Sequence, residues 1–291
     1  MNPIEKANVL IESLPYIRNF YGKTFVIKYG GAAQTEAGLK SAFAQDIVLL
    51  NFIGIHPVIV HGGGPAISAT MERMGKKPDF VQGQRVTDKE TMDIVEMVLG
   101  GLINKEIVAL INSHGGKAVG LSGKDGGLIK AKKKLLRKKT EAGEEETIDI
   151  GLVGEVEAVN PDILKNLEEG GFVPVISPIG AGEKGEAYNI NADYAASAIA
   201  SALKAEKLIL ITDVSGIKDK DGSVISTLKR KDIKKLVSSG VITGGMLPKT
   251  HACEQAIEGG VGKTHIVDGR MPHCLLLEIF TKEGMGTEVV G

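Results

Sequence analysis

Two lysines set beside glycine pairs, far apart in the chain, are the residues whose types and spacing best suit chemistry. Lys28 closes an apolar run and is followed by Tyr29, Gly30 and Gly31, and Lys249 follows the glycine pair of GGMLPK. A third cluster, His61-Gly62-Gly63-Gly64-Pro65, follows another β-branched run. Pro65 suits a first helical turn, and glycines before it let bare backbone N–H groups approach an anion at a helix N-terminus. Cationic side chains beside two such loops suit a phosphoryl group in transfer, because that reaction depends mostly on positioning and charge neutralisation. No Asp or His in these motifs is placed as a base for an alcohol. A carboxylate acceptor needs none, since a group with a pKa of about 4.3 is already ionised at pH 7. Arg85, in QGQRVT, can present a fork to such a carboxylate, while Asn189 and Asp193, in YNINADYAA, stand around a helix start as caps or substrate contacts.

Two other glycine patterns, and a second reading of HGGG, fit their usual chemistry poorly. GGVGKT at 259–264 has Ile257 where a Walker loop needs its first glycine, and it lies between a helix and a strand, as a helix end would. GAGEKG at 180–185 precedes the next helix by too much to bring a helix N-terminus to a pyrophosphate, and is read as a flexible active-site loop. HGGG matches the oxyanion loop of esterases, but no serine here is flanked by glycine at both −2 and +2, so that reading lacks its nucleophile.

These groups need a scaffold, and the sequence supplies alternating strands and helices. Strand-like runs occur at TFVIKY (24–29), HPVIVH (56–61), KAVGLS (117–122), FVPVIS (172–177), KLILIT (207–212) and THIVDG (264–269). Helical patterns such as AGLKSAFAQDIVLLNFIG, PAISATMERMG and NADYAASAIASALKA lie between most of them. Such alternation predicts a mostly parallel sheet covered on both faces, with ligands beyond the C-terminal strand ends, where KYGG, HGGGP, SGKDGG and TDVSGI fall. One stretch, 130–159, breaks the alternation with a basic block, an acidic block and an alternating segment. It is read as an antiparallel excursion at the sheet edge whose charges form a solvated face.

Composition narrows the ligand class. Thirty-five Lys and Arg against 36 Asp and Glu leave a formal charge of −1, so no global field attracts nucleic acid or an anionic membrane. Tryptophan is absent and 38 residues are glycine, which favours small polar ligands held by backbone over base-stacking surfaces. Cys253 and Cys274 lack metal-ligand or disulfide-framework spacing and read as ordinary reduced thiols. No secretory h-region or uninterrupted apolar span occurs, so an unexported, cytoplasmic chain is expected.

Taken in order, KYGG (28–31), HGGGP (61–65), QGQRVTD (82–88), VGLSGKDG (119–126), NINADYAA (189–196), TDVSGI (212–217) and TGGMLPK (243–249) resemble the amino acid kinase family, and within it the branch acting on N-acetyl-L-glutamate. The resemblance spans essentially the whole chain. It implies a three-layer α/β/α sandwich around a central, mostly parallel sheet, with an oligomerisation helix at 1–22, an acetylglutamate-binding lobe at 23–205 and an ATP-binding lobe at 206–291. The implied reaction passes the γ-phosphoryl of ATP to the γ-carboxylate of N-acetyl-L-glutamate, with Mg2+ carried by ATP and no metal ligand from the protein. Lys28 and Lys249 are implied to stabilise the transition state, Asp193 to hold both lysines, and the N–H groups of Gly31 and Gly64 to bind the moving phosphoryl. Gly63, Gly64, Arg85 and Asn189 are implied substrate contacts. Thr212, Asp213, Val214, Ser215, Gly216 and Ile217, with Gly244, Gly245 and Met246, line the implied nucleotide site. Members inhibited by arginine carry an N-terminal helix that interlaces dimers into a hexamer and a C-terminal pattern similar to HCLLLEIFTKEGMGT (273–287), which assigns Glu278, Glu283 and Gly286 to an effector site. Spacing leaves open a sibling kinase acting on another carboxylate or on carbamate, and a catalytically silent sensor.

Overall fold

The structure, a computed structural model, describes residues 2–139, 145–281 and 284–291. Its strands are β1 (Thr24–Tyr29), β2 (His56–His61), β3 (Phe80–Val81), β4 (Gln84–Arg85), β5 (Ala118–Ser122), β6 (Ile129–Lys139), β7 (Glu145–Val159), β8 (Val173–Ser177), β9 (Ile179–Ala181), β10 (Ala187–Ile190), β11 (Lys207–Thr212), β12 (Thr227–Lys229), β13 (Lys263–Asp268) and β14 (Gly286–Val290). Its helices are α1 (Pro3–Phe20), α2 (Ala37–Phe52), α3 (Gly64–Arg73), α4 (Lys89–Glu96), α5 (Asn104–Ser113), α6 (Asp162–Glu169), α7 (Ala192–Leu203), α8 (Arg230–Ser238), α9 (Met246–Glu258) and α10 (Cys274–Phe280). A π-helical stretch, Met97–Ile103, joins α4 to α5.

All six strand-like runs enter one eight-stranded sheet in the order β12-β14-β13-β11-β1-β2-β8-β5. Every pairing in it is parallel except β13 with β14. Because β1 pairs with β2 on one side and β11 on the other, the sheet runs unbroken between residues assigned to the two lobes. Strand alternation sorts the core into two layers. Phe25, Ile27, Tyr29 and Ile59 pack with α2, α4 and α5, whereas Val26, Val58, Val60 and Leu208 pack with α7 and α9. The sheet is thus covered on both faces, giving the expected three-layer α/β/α sandwich.

The 130–159 excursion is antiparallel, as expected, but does not extend the edge of the main sheet. The β6–β7 hairpin shifts register at Lys130/Ala131 and at Lys133/Leu135, and closes with β9 and β10 into a small barrel. Register shifts of this kind bend and twist a ribbon, which is how a two-strand excursion can curl back onto other strands. Its charges do form a solvated face, pairing as Lys130–Glu157 (2.9 Å), Lys132–Glu155 (3.1 Å) and Lys133–Asp149 (2.6 Å). GAGEKG is corrected by the same barrel. Gly182 N–H donates to Glu186 O and Gly185 N–H to Gly182 O, so the segment is the turn between β9 and β10. GGVGKT behaves as expected, Gly259 capping α9 and Lys263 opening β13. Among the described residues, no helix is long and apolar enough to cross a membrane.

Candidate active site

Alternation along β1 turns Lys28 to the same side as Val26, toward α7. There Asn191 caps α7, its side chain accepting from the N–H groups of Asp193 and Tyr194. This cap fixes the first helical turn and drives Asp193 inward, where it is only 4% exposed. Asp193 Oδ1 lies 3.2 Å from Lys28 Nζ, and Oδ2 accepts a 2.9 Å hydrogen bond from Lys249 Nζ at the start of α9. Helices α7 and α9 are held together nearby by a bond from Ser197 Oγ to Ala252 O (2.8 Å). Burial pushes the Lys28 pKa below its ordinary value, with Asp193 opposing the shift. Burial alone would raise the Asp193 pKa, but the two ammonium groups outweigh it and hold the carboxyl below its usual range. Among the described residues, Asp193 Oδ1 has the ion pair to Lys28 but no aligned hydrogen-bond donor.

Both glycine loops share a cavity with Lys28 and Asp193. After β1 the chain makes a 3-10 turn over Gly31–Gln34, with Gly31 at φ +70. A Cβ on Gly31 would fall 2.2 Å from Asp213 Oδ1, and Ala32 N–H donates to the same carboxylate. Glycine at 31 is therefore required both by its backbone and by the approach of Asp213. After β2, Gly63 precedes α3, and Pro65 occupies its first turn. Lys28, Gly31, Gly62, Gly63, Gly64 and Asp193 line a cavity of about 180 Å³. The adjoining cavity, about 210 Å³, is lined by Gly63, Gly64, Phe80, Arg85, Leu99 and Asn189 among others.

Arg85 comes from the short β3–β4 hairpin and is buried beneath it. Its guanidinium donates to Gly64 O (2.9 Å), Ser68 Oγ (2.8 Å) and Met71 Sδ (3.2 Å), and lies over the Phe80 ring at 4.7 Å. Burial lowers the Arg85 pKa, yet a guanidinium remains charged in a protein. Asn189, on β10, donates to Thr87 Oγ1 at 3.4 Å, so the small barrel is the element that carries it to the cavity. A phosphoryl group can thus meet Lys28 and bare N–H groups in one cavity, with Lys249 linked to it through Asp193, while a carboxylate meets Arg85 and Asn189 next door.

The profile of the amino acid kinase family matches residues 23–268. The chain belongs to the amino acid kinase family. It is 59% identical to the acetylglutamate kinase of Sulfurihydrogenibium sp. (strain YO3AOP1), with 98% of each chain covered. It is 58% identical to that of Geotalea uraniireducens (strain Rf4), with 99% of each covered. Among solved structures it is similar to N-acetylglutamate synthase from Neisseria gonorrhoeae complexed with coenzyme A and N-acetyl-glutamate, with a TM-score of 0.84 and 25% identity over 98% of this chain and 63% of that one. In this member of the amino acid kinase family Lys28, Asp193, Gly31, Gly63, Gly64, Arg85 and Asn189 line two adjoining cavities, and Lys249 is joined to them through Asp193.

The remaining assigned residues are more scattered. Thr212 ends β11 and Asp213 reaches the first glycine loop, whereas Val214 and Ser215 lie on the loop beyond. Ile217 is buried, its N–H taken by Thr287 Oγ1 (2.8 Å), and Gly216 lies against the same threonine. Gly244 and Gly245 lead into α9, which Met246 opens. Glu278 forms a separate buried cluster, 2.5 Å from His265 Nδ1 and accepting from Met285 N–H, and Gly286 opens β14 beside it. Glu283 lies outside the described residues. Sequence reasoning missed His61, Gln34, Asn104 and the Asn191 cap. Only Asn191 carried a local signal, an asparagine one position before an alanine-rich helix.

Proposed function

We propose that the chain catalyses transfer of the γ-phosphoryl of ATP to the γ-carboxylate of N-acetyl-L-glutamate, giving N-acetyl-L-glutamyl 5-phosphate in arginine biosynthesis. The observation that carries this reading is a single buried carboxylate, Asp193, gripping Lys28 and Lys249 beside two glycine loops. Two cations so fixed have little freedom to lose as charge develops, which is how preorganised electrostatics lowers a barrier. Arg85 and Asn189 hold the acceptor, whose ionised carboxylate oxygen forms the new P–O bond while the bond to the ADP oxygen breaks, and no proton need move. Gly31 and Gly64 donate to the transferring oxygens. The nucleotide lies against Thr212–Ile217 and Gly244–Met246, with Mg2+ carried on its phosphates, and the chain works in the cytoplasm. Hydroxylamine trapping of acyl phosphate with ATP, magnesium and each acceptor in turn tests the reading. Product is expected with N-acetyl-L-glutamate and not with glutamate or aspartate. No product with any acceptor defeats it.

Regulation by arginine in a hexamer, a trimer of dimers, completes the proposal. Along α1, Ile4, Val9, Leu10, Ile11 and Leu14 are all exposed, and the helix packs mainly through Tyr16 against Phe280 and Phe20 against Phe25. An exposed apolar stripe of this length marks an interaction surface, here for a second copy, with Glu278, Glu283 and Gly286 serving the effector. Arginine is expected to inhibit a species of hexameric mass by light scattering. An arginine-insensitive dimer would sink this part.

A further inference from the structure

Resting on the proposed phosphoryl transfer, we infer that His61 and Gln34 are positioning residues that aim the second glycine loop by holding the Gly62 carbonyl. That oxygen accepts from His61 Nδ1 at 2.9 Å and from Gln34 Nε2 at 3.3 Å. Across a trans peptide the C=O of Gly62 and the N–H of Gly63 point in opposite directions. Holding the oxygen therefore sets the direction of the next N–H, at the threshold of α3 and the phosphoryl cavity. Gln34 Nε2 also donates to Tyr29 O at 3.1 Å, and Gly62 N–H donates to Tyr29 O at 2.9 Å. One side-chain amide thus ties the loop after β1 to the loop after β2, fixing the gap that a phosphoryl group must span.

The histidine is itself fixed from behind. It is fully buried, and burial lowers its pKa to about 4, so the ring is neutral at pH 7. With Nδ1 donating to a carbonyl, Nε2 must accept, and Asn104 Nδ2 lies 3.3 Å from it. Asn104 is also fully buried, donates to Val175 O at 2.9 Å, and accepts from Lys105 Nζ at 3.1 Å. It is the first residue after the π-helical stretch, whose Leu99 and Ile103 side chains come within 2.5 Å of where a Cβ on Gly63 would stand. An inserted π turn shifts the residues that follow it around the helix axis. Here the inserted turn puts Asn104 on the histidine and two apolar side chains on the glycine. No step of the transfer passes through these groups, and their whole effect is on the geometry of the N–H donors.

Steady-state kinetics on His61→Leu and Gln34→Met, each removing the donor at similar volume, tests the inference. Each is expected to lower kcat by roughly 10- to 100-fold, the scale of a misplaced donor, with KM for ATP and acceptor within threefold of wild type. Inhibition by MgADP with aluminium fluoride, a mimic of the phosphoryl in flight, is expected to weaken by the same factor, which general loosening of the fold would not produce. His61→Asn, which keeps a donor at the δ position, is expected to recover most of the rate. Retention of kcat within threefold in both donor-deleted variants, or a loss of kcat without weaker aluminium fluoride inhibition, overturns the inference. If His61→Leu does not fold, Gln34→Met decides alone. A wild-type protein inactive with every acceptor overturns the proposed function and this inference with it, whereas an active wild type with unaffected variants overturns this inference only.

Discussion

Lys28→Ala is expected to lower kcat by roughly 10³-fold or more while the protein keeps its fold, and Lys249→Ala to do the same. Cations poised on a phosphoryl group in transfer are worth about 10³ to 10⁵ in rate in related chemistry. Both ammonium groups here are fixed before any ligand arrives, through one carboxylate, so little of that value is spent on reorganisation. The loss should fall on kcat more than on KM, because the charge being neutralised grows only toward the transition state. Stability should change little or rise for Lys28→Ala, since burial already works against this ammonium group, as its lowered pKa records. Circular dichroism with initial-rate kinetics checks both points. Turnover within tenfold of wild type in either variant removes that lysine from the mechanism.

Asp193→Asn is the second large effect, and it acts on rate and stability together. Asparagine keeps the shape and an acceptor but removes the negative charge that both ammonium groups contact. Breaking a buried ion pair from one side costs on the order of 3 kcal/mol or more, and turnover should fall by roughly 10²-fold or more as the lysines repel and lose their registration. The pH dependence follows from the sign of the shift. The folded Asp193 pKa lies below the ordinary carboxylate value, so its contribution is fully present above about pH 4 and is lost as the pH falls through the folded pKa. The stability gap between wild type and variant should therefore be constant near neutrality and narrow in acid. With Asp193 gone, the burial of Lys28 is opposed only weakly among the described residues, by Asp213, so the alkaline fall in the rate should move to lower pH. An unshifted alkaline limb would show that Lys28 does not depend on Asp193 for its charge. Chemical denaturation at pH 3 to 8 and pH–rate profiles are the measurements.

The strands were legible because buried parallel strands are continuous apolar runs, and TFVIKY, HPVIVH and KLILIT are of that kind. What such runs could not reveal is visible in β12, three residues long, and in β14, whose buried positions alternate with half-buried ones. The 130–159 hairpin is antiparallel, as its pattern predicts, but closes into a barrel where an extension of the sheet edge is expected. Strand pattern records which face is buried, whereas the two register shifts that curl β6 and β7 into a barrel leave no periodic trace. The same limit applies to GAGEKG, whose glycines serve a turn of that barrel.

By itself the sequence determined a parallel α/β fold, glycine loops at two strand ends, and two lysines beside glycine pairs, because those features are encoded in local period and in the backbone freedom of glycine. Only the tertiary structure decided that Lys28 and Lys249 meet on one carboxylate, that Arg85 is held under its hairpin by Gly64 and Ser68, and that His61 and Gln34 converge on the Gly62 carbonyl with Asn104 against the far side of the histidine ring. Those meetings depend on which strands become neighbours and on how far the π turn rotates a helix. They are through-space distances between residues remote in the chain, and no spacing along the chain contains them.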